Sequence, residues 1–218
     1  MTNEINNRNI KYSKNSLVPD GWEVIELGKI GKFSKGKGIL KEQVLETGLP
    51  CIRYGEIYTT HNYVINKFKS FIHEKVAKES QEIKEGDILF AGSGETIEEI
   101  GKAVAYLGSE KAYAGGDVII LSTNGKVNAE CLSYALETDF TRKQKRKLGQ
   151  GQQVVHIYPS DLSKVKVALP PLPEQKAIAH ILSLMDTAIN KNNLLIALKE
   201  LQKKALMQNL LTGKKRMK

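Results

Sequence analysis

The stretch LPPLPEQ, residues 169–175, sets three prolines within five residues, and no proline follows it to the end of the chain. Proline fixes φ and lacks an N–H, so Pro170 and Pro171 end any strand that precedes them. Pro173 suits the first turn of a helix, where its missing donor costs nothing, and Glu174 then lies where the helix dipole favours a carboxylate. Beyond it Ile178, Ile181, Met185, Ala188, Leu195, Leu198 and Ala205 recur at helical spacing, with Asn192 as a polar interruption and Gly213 placed as a C-cap. Roughly 38 residues rising about 1.5 Å each make a rod of roughly 57 Å. That exceeds what a small domain needs for its own core, so the apolar stripe predicts a partner helix.

Ahead of the prolines the pattern is different. From Trp22 to Leu169 come short β-type runs parted by glycines: WEVIEL, CIRYGEIY, DILFAG, KAVAYL, DVIILST, VVHIY and KVKVAL. The last alternates as a half-buried strand should. Two helices are expected to interrupt, one over 73–82 and one opening at Asn128. The second carries Leu132, Ala135, Leu136 and Phe140 on one face and runs through RKQKRK to Gly149. Strands and helices do not alternate one for one. The predicted fold is α+β: a polar lead-in over 1–18, a β-rich domain over 19–171, one long coiled-coil-type helix over 172–213 and a basic tail over 214–218.

Thirty-three Lys and Arg against 24 Asp and Glu leave a net charge of +9. Such an excess favours a polyanion, either nucleic acid or an acidic membrane face. No apolar run approaches membrane-spanning length and residues 1–16 are polar, so a cytoplasmic protein without a membrane partner is expected. Cys51 and Cys131 are too few for a disulfide framework or zinc site, and His61, His73, His156 and His180 show no ligand spacing. No metal is expected.

Two motifs suggest catalysis and fail on context. FAGSG, residues 90–94, matches the FxGxG loop of S-adenosylmethionine methyltransferases, and Pro50–Cys51 matches a cytosine-methyltransferase nucleophile. Their order along the chain is reversed, no Asn-Pro-Pro-Tyr-type tetrapeptide accompanies them, and no βα alternation surrounds the loop. GETIEEIGKA is not a phosphate-binding loop, because six residues part its glycines and Ala103 stands where a metal-binding hydroxyl is needed. Neither a catalytic residue nor a cofactor is expected. A fragment of an S-adenosylmethionine-dependent DNA methyltransferase is the alternative reading.

Double-stranded DNA has better candidates. Lys143, Lys145, Arg146 and Lys147 crowd the end of a predicted helix, where they can hold phosphates. Gln150, Gln152 and Gln153 follow on a glycine-loosened loop, and glutamine can bond an adenine edge through two hydrogen bonds. Ser93, Glu95 and Thr96 of SGET, with Lys35 and Lys37 of KGKG, offer similar polar edges.

Read together, VPDGWEVIELGKIGKFSKGKG, LPCIRYGEI, GDILFAGSGETIEEIGKA, AGGDVIILS and VKVALPPLPEQKAIAHILSLMDTAI resemble, in this order, the specificity (S) subunits of type I restriction–modification systems. The LPPLPEQ junction is the most specific piece. The resemblance implies a non-catalytic subunit that reads one half of a bipartite DNA site per recognition domain. It also implies docking to methyltransferase (M) subunits and, through them, to an endonuclease (R) subunit. FAGSG becomes a turn within the recognition domain. S subunits usually carry two recognition domains and two helical spacers held antiparallel, whereas one of each is legible here. The resemblance therefore implies a half-sized subunit that pairs its long helix antiparallel in a homodimer.

Overall fold

The structure is a computed structural model that describes residues 18–151 and 154–216. In chain order its elements are β1 (Glu23–Glu26), α1 (Leu27–Ile30), β2 (Lys32–Lys35), β3 (Leu49–Ile52), α2 (Tyr54–Thr59), β4 (Ser70–Ile72) and α3 (Glu74–Ala77). There follow β5 (Gln81–Ile83), β6 (Asp87–Ala91), β7 (Ser93–Gly94), β8 (Ala103–Ala105), β9 (Ala112–Ala114), β10 (Val118–Ser122) and α4 (Ala129–Ala135). The last are α5 (Asp139–Leu148), β11 (Val155–His156), α6 (Pro159–Leu162), β12 (Lys166–Leu169) and α7 (Leu172–Leu211). The fold is α+β, with a β-rich part followed by a long helix.

The apolar runs DILFA and VIIL explain the centre of the domain. A strand turns successive side chains to opposite faces, so a run apolar at every position must be covered on both. β6 and β10 sit in an antiparallel sheet of order β2-β10-β6-β8. Ile88, Phe90, Ile119 and Leu121 face a core shared with Leu132 of α4, with Leu136 at that helix's C-cap and with Val167 of β12. Leu89, Ala91, Val118 and Ile120 face a second core with Ile52, Ile83, Ala112 and Ala114. Those last residues belong to the other large sheet, of order β4-β3-β9-β5, in which β3 and β9 run parallel. Each large apolar side chain buried this way contributes about 1.5–3 kcal/mol.

Three expectations are corrected. CIRYGEIY is not one strand: β3 stops at Ile52, and Tyr54–Thr59 is helical around Gly55, a poor strand residue, with Ile57 buried beneath it. The helix over 73–82 is a single turn. His73 caps it through Nδ1, which accepts from the Lys75 N–H at 3.3 Å, and Gln81–Ile83 then pairs with β9 because Ile83 belongs to the second core. The helix opening at Asn128 is two helices. Asn128 does cap α4, its Oδ1 accepting from the Cys131 N–H at 2.8 Å. The chain turns out of helix at Thr138 and restarts as α5, which leaves Phe140 exposed rather than in line with Leu132 and Leu136.

The described residues form two compact units, one ending at Lys176 and one beginning at Ala177. The proline junction belongs to the first. Gln175 is buried there, its amide donating to the Pro170 carbonyl at 2.8 Å and its Oε1 accepting from the Asn128 N–H at 2.9 Å. One side chain thus ties the opening turn of α7 to the last strand and to the start of α4. Trp22 adds a longer hydrogen bond, Nε1 to Glu174 Oε1 at 3.3 Å. In the second unit α7 ends at Leu211, Gly213 beyond it takes φ +71°, and the Lys215 N–H closes the end on the Asn209 carbonyl at 2.9 Å.

Candidate nucleic-acid interface

Three segments far apart in sequence meet on one face of the β-rich unit. The first is the KGKG turn. Lys35 ends β2 opposite Ile119, after which the Gly36 N–H donates to the Val118 carbonyl at 2.7 Å and the Lys37 N–H to Ala114 at 3.1 Å. A side chain at residue 36 would begin 1.9 Å from the Gly115 carbonyl oxygen, so only glycine lets the turn lie this close. Lys35 and Lys37 are exposed.

The second segment is FAGSG, which runs strand, kink, strand. The Gly92 N–H donates to the Asp117 carbonyl at 2.8 Å, and Ser93–Gly94 pairs antiparallel with Val155–His156. Ser93 is therefore buried, 3% exposed, rather than the open polar edge expected of it, and its Oγ lies 2.9 Å from His156 Nδ1. Glu95 and Thr96 are exposed beyond it.

The third segment is the Gln loop. Gln150 and His156 exchange both backbone hydrogen bonds, at 2.9 and 2.7 Å. Gln150 is exposed, and Gln152 and Gln153 lie outside the described residues. Tyr158 follows, with Lys35 Nζ 5.6 Å from its ring centroid.

Lys35, Ser93, Asp117, His156 and Tyr158 line one small cleft. Asp117 also lines a neighbouring cleft of about 260 Å³ walled by Ile39, Lys41, Arg53 and Tyr54. Ile39 adopts φ +60° there, a conformation that a β-branched residue rarely takes. Arg53, Tyr54, His156 and Tyr158 had no functional role in the sequence reading. Their one signal was position, directly beside glycines and segments already singled out.

The basic run divides. Lys143 and Lys147 are exposed and Arg146 is half-buried, its Nε directed at the Glu98 carbonyl at 3.4 Å. Lys145 is interior, contrary to the expectation of an exposed phosphate contact. It is 2% exposed, and its Nζ donates to Glu137 Oε1 and to the Gly101 carbonyl, each at 2.8 Å. Burial pulls its pKa below the ordinary lysine value, and the Glu137 carboxylate pulls it back up. Glu137 also accepts from the Ala103 N–H at 3.3 Å, so the pair fastens α5 to the end of the segment that carries SGET.

In the second unit Ile181, Met185, Leu195 and Leu198 are exposed, as are Leu182, Leu184, Ile189, Leu194, Ile196 and Leu201. Ala188, Asn192 and Ala205 are exposed with them, while Ile178 is half-buried. Among the described residues no group of acidic, His and Cys side chains could hold a metal, and no helix is long and apolar enough to cross a membrane.

A family model described as the type I restriction modification DNA specificity domain matches residues 19–200, and the chain belongs to that family. The putative MjaX specificity subunit of Methanocaldococcus jannaschii is 32% identical over 215 residues, covering 94% of this chain and 48% of that protein. The MjaVIII specificity subunit of the same organism is 28% identical over 209 residues, covering 94% and 45%. This chain thus spans about half the length of these relatives. Among solved structures, the type I restriction–modification S subunit from M. genitalium shares the fold. Its TM-score is 0.61 at 17% identity over 91% of this chain and 47% of that one.

Proposed function

We propose that the chain is a DNA-recognition subunit of a type I restriction–modification complex and reads one half of a bipartite site. The observation that carries this reading is the convergence of the KGKG turn, the SGET segment and the Gln150–Tyr158 segment on one polar face. Base contacts need such a constellation of polar groups held on a rigid scaffold, with lysines around it for phosphates. The experiment is selection of bound duplexes from a randomised pool. Enrichment of one short half-site is expected, and a pool that returns unselected would overturn the reading.

The long helix completes the proposal. Its partner is a second copy of the chain, paired antiparallel, so that each target is an inverted repeat around an unread spacer of fixed length. The exposed apolar surface supports more than one contact. Ile178, Ile181, Met185, Ala188 and Leu195 make one seam, while Leu182, Ile189 and Ile196 repeat at the heptad interval beside it. One partner helix covers one seam, and the second is available to a methyltransferase subunit, through which the endonuclease subunit joins.

Mixing chains that carry Lys176→Cys with chains that carry Gln208→Cys tests the antiparallel pair. The resident cysteines do not interfere, because burial above all pushes the thiol of Cys51 up to about 12 and that of Cys131 to about 11. A disulfide between unlike variants is expected. A disulfide joining two Lys176→Cys chains, or a direct-repeat target, would overturn the antiparallel arrangement.

A further inference from the structure

His156 is held firmly on the proposed reading face. Its backbone is fixed on both edges, by pairing with Ser93 in β7 and by the two hydrogen bonds exchanged with Gln150. The next residue is held as well, the Ile157 N–H donating to the Gly92 carbonyl at 3.0 Å. The ring is half-exposed and lines the cleft with Lys35, Asp117 and Tyr158.

The hydrogen-bonding sense of that ring follows from Ser93. A serine hydroxyl carries one hydrogen, and a buried hydroxyl needs an acceptor for it. Ser93 is 3% exposed, and the acceptor within reach is His156 Nδ1 at 2.9 Å. If Nδ1 carried the proton instead, the serine hydrogen would be left buried with no acceptor among the described residues. Ser93 therefore donates, Nδ1 accepts, and the neutral imidazole carries its hydrogen on Nε2. No described residue hydrogen-bonds Nε2. It is a donor, positioned by a buried partner and open to a ligand.

We propose that His156 reads one base pair of the DNA target, its Nε2–H donating to an acceptor on the major-groove edge, and that Ser93 is the residue that sets this sense. Guanine presents O6 and N7, adenine N7 and thymine O4, whereas cytosine presents only a donor there. The charges lining the cleft favour a neutral base edge over a phosphate. Asp117 shares it, and a carboxylate repels a phosphate that would otherwise be drawn to Lys35. This inference rests on the DNA-reading function proposed above.

The test uses the full chain and the randomised duplex pool. His156→Ala and His156→Phe, which both remove the ring donor, are compared with the unaltered protein, because any residue with an N–H keeps the backbone hydrogen bonds at this position. Both are expected to relax the preference at one base pair by about tenfold while the other positions keep theirs. Ser93→Ala should weaken the preference at that same base pair. In the free protein, nitrogen NMR of the ring should show one tautomer, with the hydrogen on Nε2, and a mixture in Ser93→Ala. Uniform loss of affinity for all sequences in the His156 variants overturns the inference, as does an unchanged selection or a ring protonated on Nδ1. An unaltered chain that selects no sequence overturns the underlying DNA-reading function, a failure separable from all of these.

Discussion

Lys145 lies in the most basic stretch of the chain, yet its ammonium donates to the Glu137 carboxylate at 2.8 Å inside the domain. An exposed pair of this kind would contribute little, but here the Lys145 ammonium is buried and Glu137 is only partly reached by water. Lys145→Ala leaves a carboxylate largely buried and the Gly101 carbonyl unpaired, and is expected to destabilise the fold by about 3 kcal/mol. Lys145→Met keeps the volume but still strands Glu137, whereas Lys145→Met with Glu137→Leu should recover much of the loss. Denaturant titration checks all three, and a Lys145→Ala midpoint equal to that of the parent would refute the interior role.

Lys143 and Lys147 flank Lys145 and are exposed. On the DNA reading proposed above they are the members of the run free to meet phosphates. Each change to Ala should flatten the dependence of log K on log salt by about 0.9 and weaken all sequences alike. Fluorescence anisotropy over a salt series measures it. A loss confined to one target sequence would instead place these lysines at a base.

Gln175 gives the proline junction a mechanical role. Gln175→Leu strips both the Pro170 carbonyl and the Asn128 N–H of their partner and should cost about 1–3 kcal/mol. Gln175→Glu can still accept from Asn128 but cannot donate to Pro170, and should lie between. For a chain of this size each 1 kcal/mol lowers the melting temperature by about 2–4 °C, so calorimetry resolves the order. Parent-like melting in Gln175→Leu would show that the two hydrogen bonds contribute nothing.

Much of this architecture was legible in the sequence. DILFA and VIIL read as strands because burial on both faces demands a continuous apolar run, and Asn128 and Gly213 marked their helix ends. The illegible parts depend on partners distant in sequence. Lys145 meets Gly101, 44 positions away, and Gln175 meets Asn128, 47 away, so neither burial follows from local pattern. Composition made Lys145 one more cation on a helix end. The β5 segment deceived for a related reason: KESQE has helical residues, but Ile83 after it needs the second core, and strand pairing overrides propensity. The proposed reading face was legible only in parts. KGKG, SGET and the Gln loop each stand out by glycine and polarity, but only the β7–β11 pairing makes Ser93 and His156 neighbours.

His61 makes the fold sensitive to mild acid. It is 5% exposed, and its Nε2 has no hydrogen-bond partner among the described residues. Burial, aided by the positive charges of Lys69 and Lys102, lowers its pKa from 6.5 to about 4. The unfolded chain therefore binds a proton that the folded chain refuses between those values. This contribution is fully present above pH 6.5 and is lost progressively as pH falls toward 4, a change of up to about 3 kcal/mol. Glu56 and Asp87 act in the opposite sense, since burial raises both carboxyl groups and makes their share of stability fall as pH rises through the acid range. A His61→Gln variant separates the two. Measured by denaturant unfolding at pH 7.5 and pH 5, the parent should lose more stability than the variant, and equal losses would show that His61 takes up its proton in the folded state as readily as in the unfolded one.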